Sequence, residues 1–134
     1  MASVYLDSCM IIGLIEGERI QQHLLKKHLI DHIVYSSDLA RLETRVIPLR
    51  TQNFSTLQQY DRFFAACTIV PLSRSVCDRA TTLRASSNLK TPDALHLAAA
   101  IQAQCTELWT SDKQLKNAAR PMLNVLDWPD IEAL

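Results

Sequence analysis

Thr91-Pro92-Asp93-Ala94-Leu95-His96-Leu97-Ala98-Ala99-Ala100-Ile101 is the stretch that decides the fold. Thr91 is a good helix N-cap, Pro92 suits the first helical position, and Asp93 then falls in the first turn. Beyond Asp93 only His96 and Gln102 interrupt an apolar surface. A helix apolar on every side is normally buried. The stretch therefore predicts a buried helix from Thr91 to about Gln104, with a carboxylate at its mouth.

Short β-branched runs and amphipathic segments alternate around this helix. Ser3-Val4-Tyr5-Leu6 reads as a strand, ended by Asp7-Ser8 as a helix cap. Helical patterns follow at residues 9–15 and 18–29, the second with Ile20, Leu24, Leu25 and Leu29 at helical spacing. His32-Ile33-Val34-Tyr35 is a second strand, and Ser36-Ser37-Asp38 caps a helix with Leu39, Leu42, Val46 and Leu49 on one stripe. A helix over 54–66, a strand at Thr68-Ile69-Val70 and a helix over 74–86 lead to the opening stretch. Glu107-Leu108-Trp109-Thr110 is a fourth strand, residues 112–119 a short helix, and Val125-Leu126-Asp127-Trp128 a fifth strand. Strands alternating with helices predict parallel βαβ units. The fold class is α/β: a three-layer α/β/α sandwich with a short central parallel sheet, forming one domain over residues 1–134.

Composition agrees with one ordinary domain. The chain has 134 residues, 48% apolar and 21% charged. No apolar run is long enough to span a membrane, and Met1-Ala2-Ser3 has no basic leader, so a cytoplasmic protein with no membrane partner is expected. Cys9, Cys67, Cys77 and Cys105 lack metal-site spacing and read as reduced thiols. Formal net charge is zero, yet Arg41 to Arg120 carries eleven Lys/Arg against six Asp/Glu. Zero overall argues against strong non-specific nucleic-acid binding, while a basic middle section suits a polyanion.

Asp7 ends the first strand, Asp112 follows the fourth, and Asp93 opens the buried helix. In open α/β sheets the site lies outside the carboxyl ends of the strands, so all three should meet at one edge. Glu43 flanks an apolar stripe, with Leu39 and Ile47 one turn to either side. Each acid has a plain structural use as a helix cap, a dipole partner or an ion-pair partner. Crowded together, however, carboxylates repel unless a cation neutralises them. A hard divalent ion, Mg²⁺ or Mn²⁺, prefers such oxygen ligands and suits phosphate chemistry. No Gly-rich phosphate loop and no G-x-S-x-G elbow is present, which leaves phosphodiester hydrolysis as the better fit.

These residues resemble the PIN-domain family, and within it the VapC-type toxin ribonucleases. The matching stretches are Tyr5-Leu6-Asp7-Ser8, Glu43, Thr91 to Ala100, and Thr110-Ser111-Asp112. The resemblance implies that Asp7, Glu43, Asp93 and Asp112 form the catalytic metal-binding set for Mg²⁺ or Mn²⁺. It further implies RNA cleavage, a homodimer and a cognate antitoxin covering the site. Ser8 and Thr110 match supporting polar positions. Cys9 and Ser111 depart from the family, which commonly has Ser or Asn at the first position and often Asn at the second.

His96, one turn from Asp93, is a core histidine or a support of the site. Lys90, Lys113 and Lys116 flank the acidic motifs and are candidates for phosphate contacts. Arg79 and Arg84 are weaker ones. Trp128 reads either as a base-stacking residue or as a packed edge. The expected activity is a Mg²⁺-dependent endoribonuclease, the toxin of a type II toxin–antitoxin pair. Two alternatives stand beside it: a catalytically idle domain binding RNA or a peptide, and a phosphatase or phosphoacceptor with Asp7 as nucleophile.

Overall fold

The computed structural model describes residues 1–134. Its elements run β1 (Ala2–Leu6), α1 (Ser8–Glu16), α2 (Arg19–Leu29), β2 (His32–Ser37), α3 (Asp38–Arg50), α4 (Phe54–Ala66) and β3 (Thr68–Val70). They continue with α5 (Arg74–Ser86), α6 (Thr91–Gln102), β4 (Glu107–Trp109), α7 (Lys113–Ala119), β5 (Asn124–Leu126) and α8 (Trp128–Glu132). The five strands form one sheet in the order β3-β2-β1-β4-β5, every pair parallel. The expected three-layer sandwich is therefore present.

Side-chain alternation in β1 sorts the two cores, because successive strand residues point to opposite faces. Tyr5 joins Val76, Leu97, Ala98 and Leu108 on one face. Val4 and Leu6 join Met10, Ile11, Leu25, Tyr60 and Trp109 on the other. A parallel sheet needs both faces covered, and helices supply both covers. The chain starts in the middle of the sheet, moves out through β2 and β3, then returns to the other side of β1 with β4. The switch point thus lies between β1 and β4, where Asp7 and Thr110-Ser111-Asp112 leave the sheet.

Helix α6 is as buried as its composition demands, with Ala94, His96, Leu97, Ala98, Ala99 and Ala100 inside. Its N-cap is Lys90, not Thr91, and no side chain caps it. Thr91 Oγ1 instead accepts a hydrogen bond from Arg84 Nη1 at 3.0 Å, while Arg84 Nε donates to Leu89 O at 3.0 Å. Arg84 therefore ties the α5–α6 loop to the start of the helix. At the other end α6 stops at Gln102, two residues early, and Gln104 takes a left-handed φ of 58°.

Two further expectations need correction. The stripe of Leu42, Val46 and Leu49 on α3 faces outward, at 61%, 38% and 60% exposure, and the buried face carries Ala40, Thr44 and Pro48. Small residues let this helix lie close to α4 and α1, which leaves the bulky ones outside. The fifth strand ends at Leu126, and Asp127 caps α8 through a reciprocal capping box with Asp130.

Candidate active site

Asp7 is the N-cap of α1 and only 3% exposed. Its Oδ1 accepts from the Met10 N–H at 3.0 Å, and its Oδ2 accepts from the Thr110 hydroxyl at 2.5 Å. Thr110, fully buried at the end of β4, also accepts from the Asp112 N–H at 3.0 Å. One hydroxyl thus links the ends of the two strands at the switch point. Asp112 is the N-cap of α7, with Oδ1 accepting from the Leu115 N–H at 2.9 Å. Capping accounts for where these two acids stand and leaves the Oδ2 of Asp112 without a partner.

Glu43 reaches the same place from α3. Its Oε1 accepts from Ser8 Oγ at 2.6 Å and from His96 Nε2 at 2.8 Å. The His96 bond, helped by Ser8, holds this carboxyl below the ordinary glutamate range. The other ring nitrogen of His96, Nδ1, lies 2.7 Å from Tyr5 Oη, which is also 2.7 Å from Ser37 Oγ. His96 is 3% exposed. It is both a satisfied core histidine and a direct support of Glu43, so the two sequence readings are compatible. Tyr5 and Ser37 are members of the site that sequence reasoning missed.

Asp93 completes the set from the first turn of α6 and is half-buried. Burial pushes its pKa up, and the charges of Asp112, Asp7 and Glu43 push in the same direction. Asp7 is likewise raised, first by burial, with Asp112 adding to it and Thr110 and Met10 opposing. All four acids are therefore within electrostatic reach of one another. The cleft holds more negative charge than the protein alone neutralises, although the N-termini of α1, α6 and α7 face it. Cys9 sits at its edge, and burial and the same acids keep its thiol protonated.

The residues fit a hard divalent cation in donor chemistry. Oxygen is the only donor type among the four acids, Asp93 is engaged by no hydrogen bond, and Glu43 and Asp112 each keep one oxygen free. No three such side chains are drawn together into a closed cage. Mg²⁺ does not require one, since it commonly keeps several waters and takes one or two carboxylates.

The expected phosphate-binding lysines differ among themselves. Lys90 and Lys113 are exposed at the starts of α6 and α7. Lys116 is committed within the chain, 2.5 Å from Asp127 and 3.1 Å from Asp130.

A parallel sheet whose switch point opens on four coupled carboxylates defines an α/β/α domain with an acidic site. The chain belongs to the PIN-domain family, whose pattern matches residues 4–121. No curated protein matches it. Among solved structures it resembles a toxin–antitoxin complex from Klebsiella pneumoniae at 22% identity, covering 92% of this chain and 95% of that one, with a TM-score of 0.73. VapBC2 from Rickettsia felis, bound to a DNA fragment from its promoter, is 19% identical over 94% and 98%, with a TM-score of 0.72. VapC20 from Mycobacterium tuberculosis, a toxin that cleaves the sarcin-ricin loop, is 11% identical over 86% and 94%, with a TM-score of 0.70. At these identities the likeness is one of fold. No helix is long and apolar enough to cross a membrane.

Proposed function

We propose that this PIN domain is a Mg²⁺- or Mn²⁺-dependent endoribonuclease and the toxin of a type II toxin–antitoxin pair. The observation that carries the reading is the cleft itself: Asp7 and Asp93 are held where their own charge is disfavoured. Capping repays part of that cost at Asp7, but Asp93, which no hydrogen bond engages, gains little in return, the pattern expected of a working site. The fold it shares with a toxin that cleaves the sarcin-ricin loop supports RNA as the substrate class.

In this reading Asp7, Glu43, Asp93 and Asp112 hold the cation, which when bound polarises the phosphoryl group and offsets charge built up during attack. Thr110 fixes Asp7, and Ser8 with His96 fixes Glu43. Lys90 and Lys113 are free to meet flanking phosphates. Asp7 is a poor nucleophile here, because both its oxygens accept hydrogen bonds and it is buried. That disfavours the phosphatase alternative.

Partners follow from two surfaces. An apolar groove lined by Leu14, Leu29, Ile30, Val34 and Phe63, with Lys26 and Arg62 beside it, suits an amphipathic antitoxin segment. The outward stripe of α3 suits a second copy of the chain.

Asp93→Asn separates function from folding. The raised pKa of Asp93 means that its ionised form costs stability at neutral pH, a cost absent below the ordinary carboxylate range. Neutralising it should abolish metal-dependent RNA cleavage while leaving the Tm at or above that of the parent chain. Cleavage assays on single-stranded RNA with and without EDTA, plus calorimetry, check both halves. Undiminished cleavage by the variant sinks the site. A parent chain that neither cleaves RNA nor binds Mn²⁺ favours the idle domain.

A further inference from the structure

We infer that the cavity beside the acidic cleft seats one RNA base, with Trp128 as its stacking wall; the inference rests on the ribonuclease reading of the cleft. The cavity has a volume of about 160 Å³ and lies between α1, α2 and the ends of β4 and β5. Met10 and Leu25, both buried, make an apolar floor, and Trp128 forms one side. Cys9, Gln21 and Ser111 complete the lining. Cys9 lies two residues after Asp7, and Ser111 directly precedes Asp112. The cavity therefore opens beside the carboxylates that would face the scissile phosphate.

Its polar groups are unspent. Neither the Gln21 amide nor the Trp128 indole N–H has a hydrogen-bond partner in the chain, and neither is sealed from solvent. Ser111 and Cys9 line the same cavity, and the Ser111 hydroxyl is free of any other side chain's hydrogen bond. An aromatic wall, an apolar floor and free donors and acceptors at the rim are what a planar ring with polar edges requires. A peptide would need a longer furrow, and the groove between α1, α2 and α4 already offers one, with a volume of about 430 Å³.

Trp128 is also held in place before any ligand arrives. Asp127 and Asp130 close a capping box around it, and Lys116 grips both carboxylates from α7. The indole packs partly against the core that contains Trp109 and Ile131. A pre-ordered aromatic loses little freedom on binding, so more of the stacking energy appears as affinity. Stacking also gives binding that does not depend on charge, which matters where phosphates approach an acidic cleft.

The two tryptophans provide an internal control. Trp109 is fully buried, with its indole N–H donated to Glu107 at 3.1 Å. On adding AMP, CMP, GMP or UMP to the full chain, the Trp128 indole resonance should shift and that of Trp109 should not. Trp128→Ala should weaken binding of a short single-stranded RNA about tenfold or more. Trp128→Phe should restore most of it, and Mn²⁺ affinity should be unchanged in both. Gln21→Ala should flatten the preference for the nucleotide beside the cut.

An unmoved Trp128 resonance together with unchanged RNA affinity overturns the base seat. So does a Trp128→Ala defect that tracks a loss of Mn²⁺ affinity or of Tm, because Trp128 then only packs. A defect confined to binding the protein encoded by the adjacent reading frame assigns the cavity to a protein partner and also overturns it. A chain that cleaves no RNA but shifts Trp128 with nucleotides keeps the seat and sinks the nuclease reading.

Discussion

His96 is fixed at both ring nitrogens, by Tyr5 Oη at 2.7 Å and by Glu43 Oε1 at 2.8 Å. The ring cannot turn without breaking one of them. Because His96 and Ser8 both approach Oε1, Oε2 of Glu43 is left free. Supports of this kind commonly change metal affinity or activity by about 10–100-fold when removed. His96→Leu should therefore lower Mn²⁺ affinity by about that factor. It should also cost stability, about 0.5–1.5 kcal/mol for the lost hydrogen bond, since the buried Tyr5 hydroxyl keeps only Ser37 as a partner. His96→Gln keeps an N–H donor and should recover part of the metal affinity. Equal Mn²⁺ affinity in the parent and both variants, measured by calorimetry, would reduce His96 to core packing.

Among the elements, α8 hangs on a charge. Asp127 caps it, and the Lys116 ammonium, aided by the Asp130 N–H, holds the Asp127 carboxyl at about 2. A depressed carboxyl contributes stability that is complete above its unfolded value, near 3.9, and is lost as pH falls through the folded value. α8 should accordingly loosen between about pH 4 and pH 2, seen as a change in Trp128 emission or faster amide exchange in residues 128–132. Asp127→Asn should remove that step, and a step that survives in the variant assigns it to another group.

The same element shows what the sequence concealed. Asp127-Trp128-Pro129-Asp130 carries a capping pattern and a proline suited to a helix start, but Val125-Leu126 running into an aromatic reads as a strand. In α3 bulk points to Leu42, Val46 and Leu49 as the inner face, whereas Ala40, Thr44 and Pro48 do the packing. Asp7, Asp93 and Asp112 were legible because each stands at a helix start, which local sequence announces. Tyr5 and Ser37 were not, because only the parallel register of β1 on β2 brings them near each other, and neither residue carries a local sign of that.

At the scale of the whole molecule, α3 presents bulky apolar side chains to its outer surface. Leu42, Val46 and Leu49 form one exposed helical stripe, at 61%, 38% and 60% exposure. Such a contiguous apolar patch on a small protein marks an interaction site. Two basic residues of α3 are matched, Arg45 with Asp61 at 3.1 Å and Arg41 with Asp38 at 3.8 Å, and Arg50 at its end has no ion-pair partner. Two copies meeting through α3 would bury this apolar stripe, with Arg50 left at the rim. A two-fold contact places each changed residue at the interface twice, once from each chain. Leu42→Asp with Leu49→Asp should therefore convert a dimer into a monomer in sedimentation at micromolar concentration. Because both side chains face outward, each monomer should keep its fold, seen as an unchanged circular dichroism spectrum. A parent chain that sediments as a monomer at the same concentration removes the dimer reading and leaves the patch to a different protein.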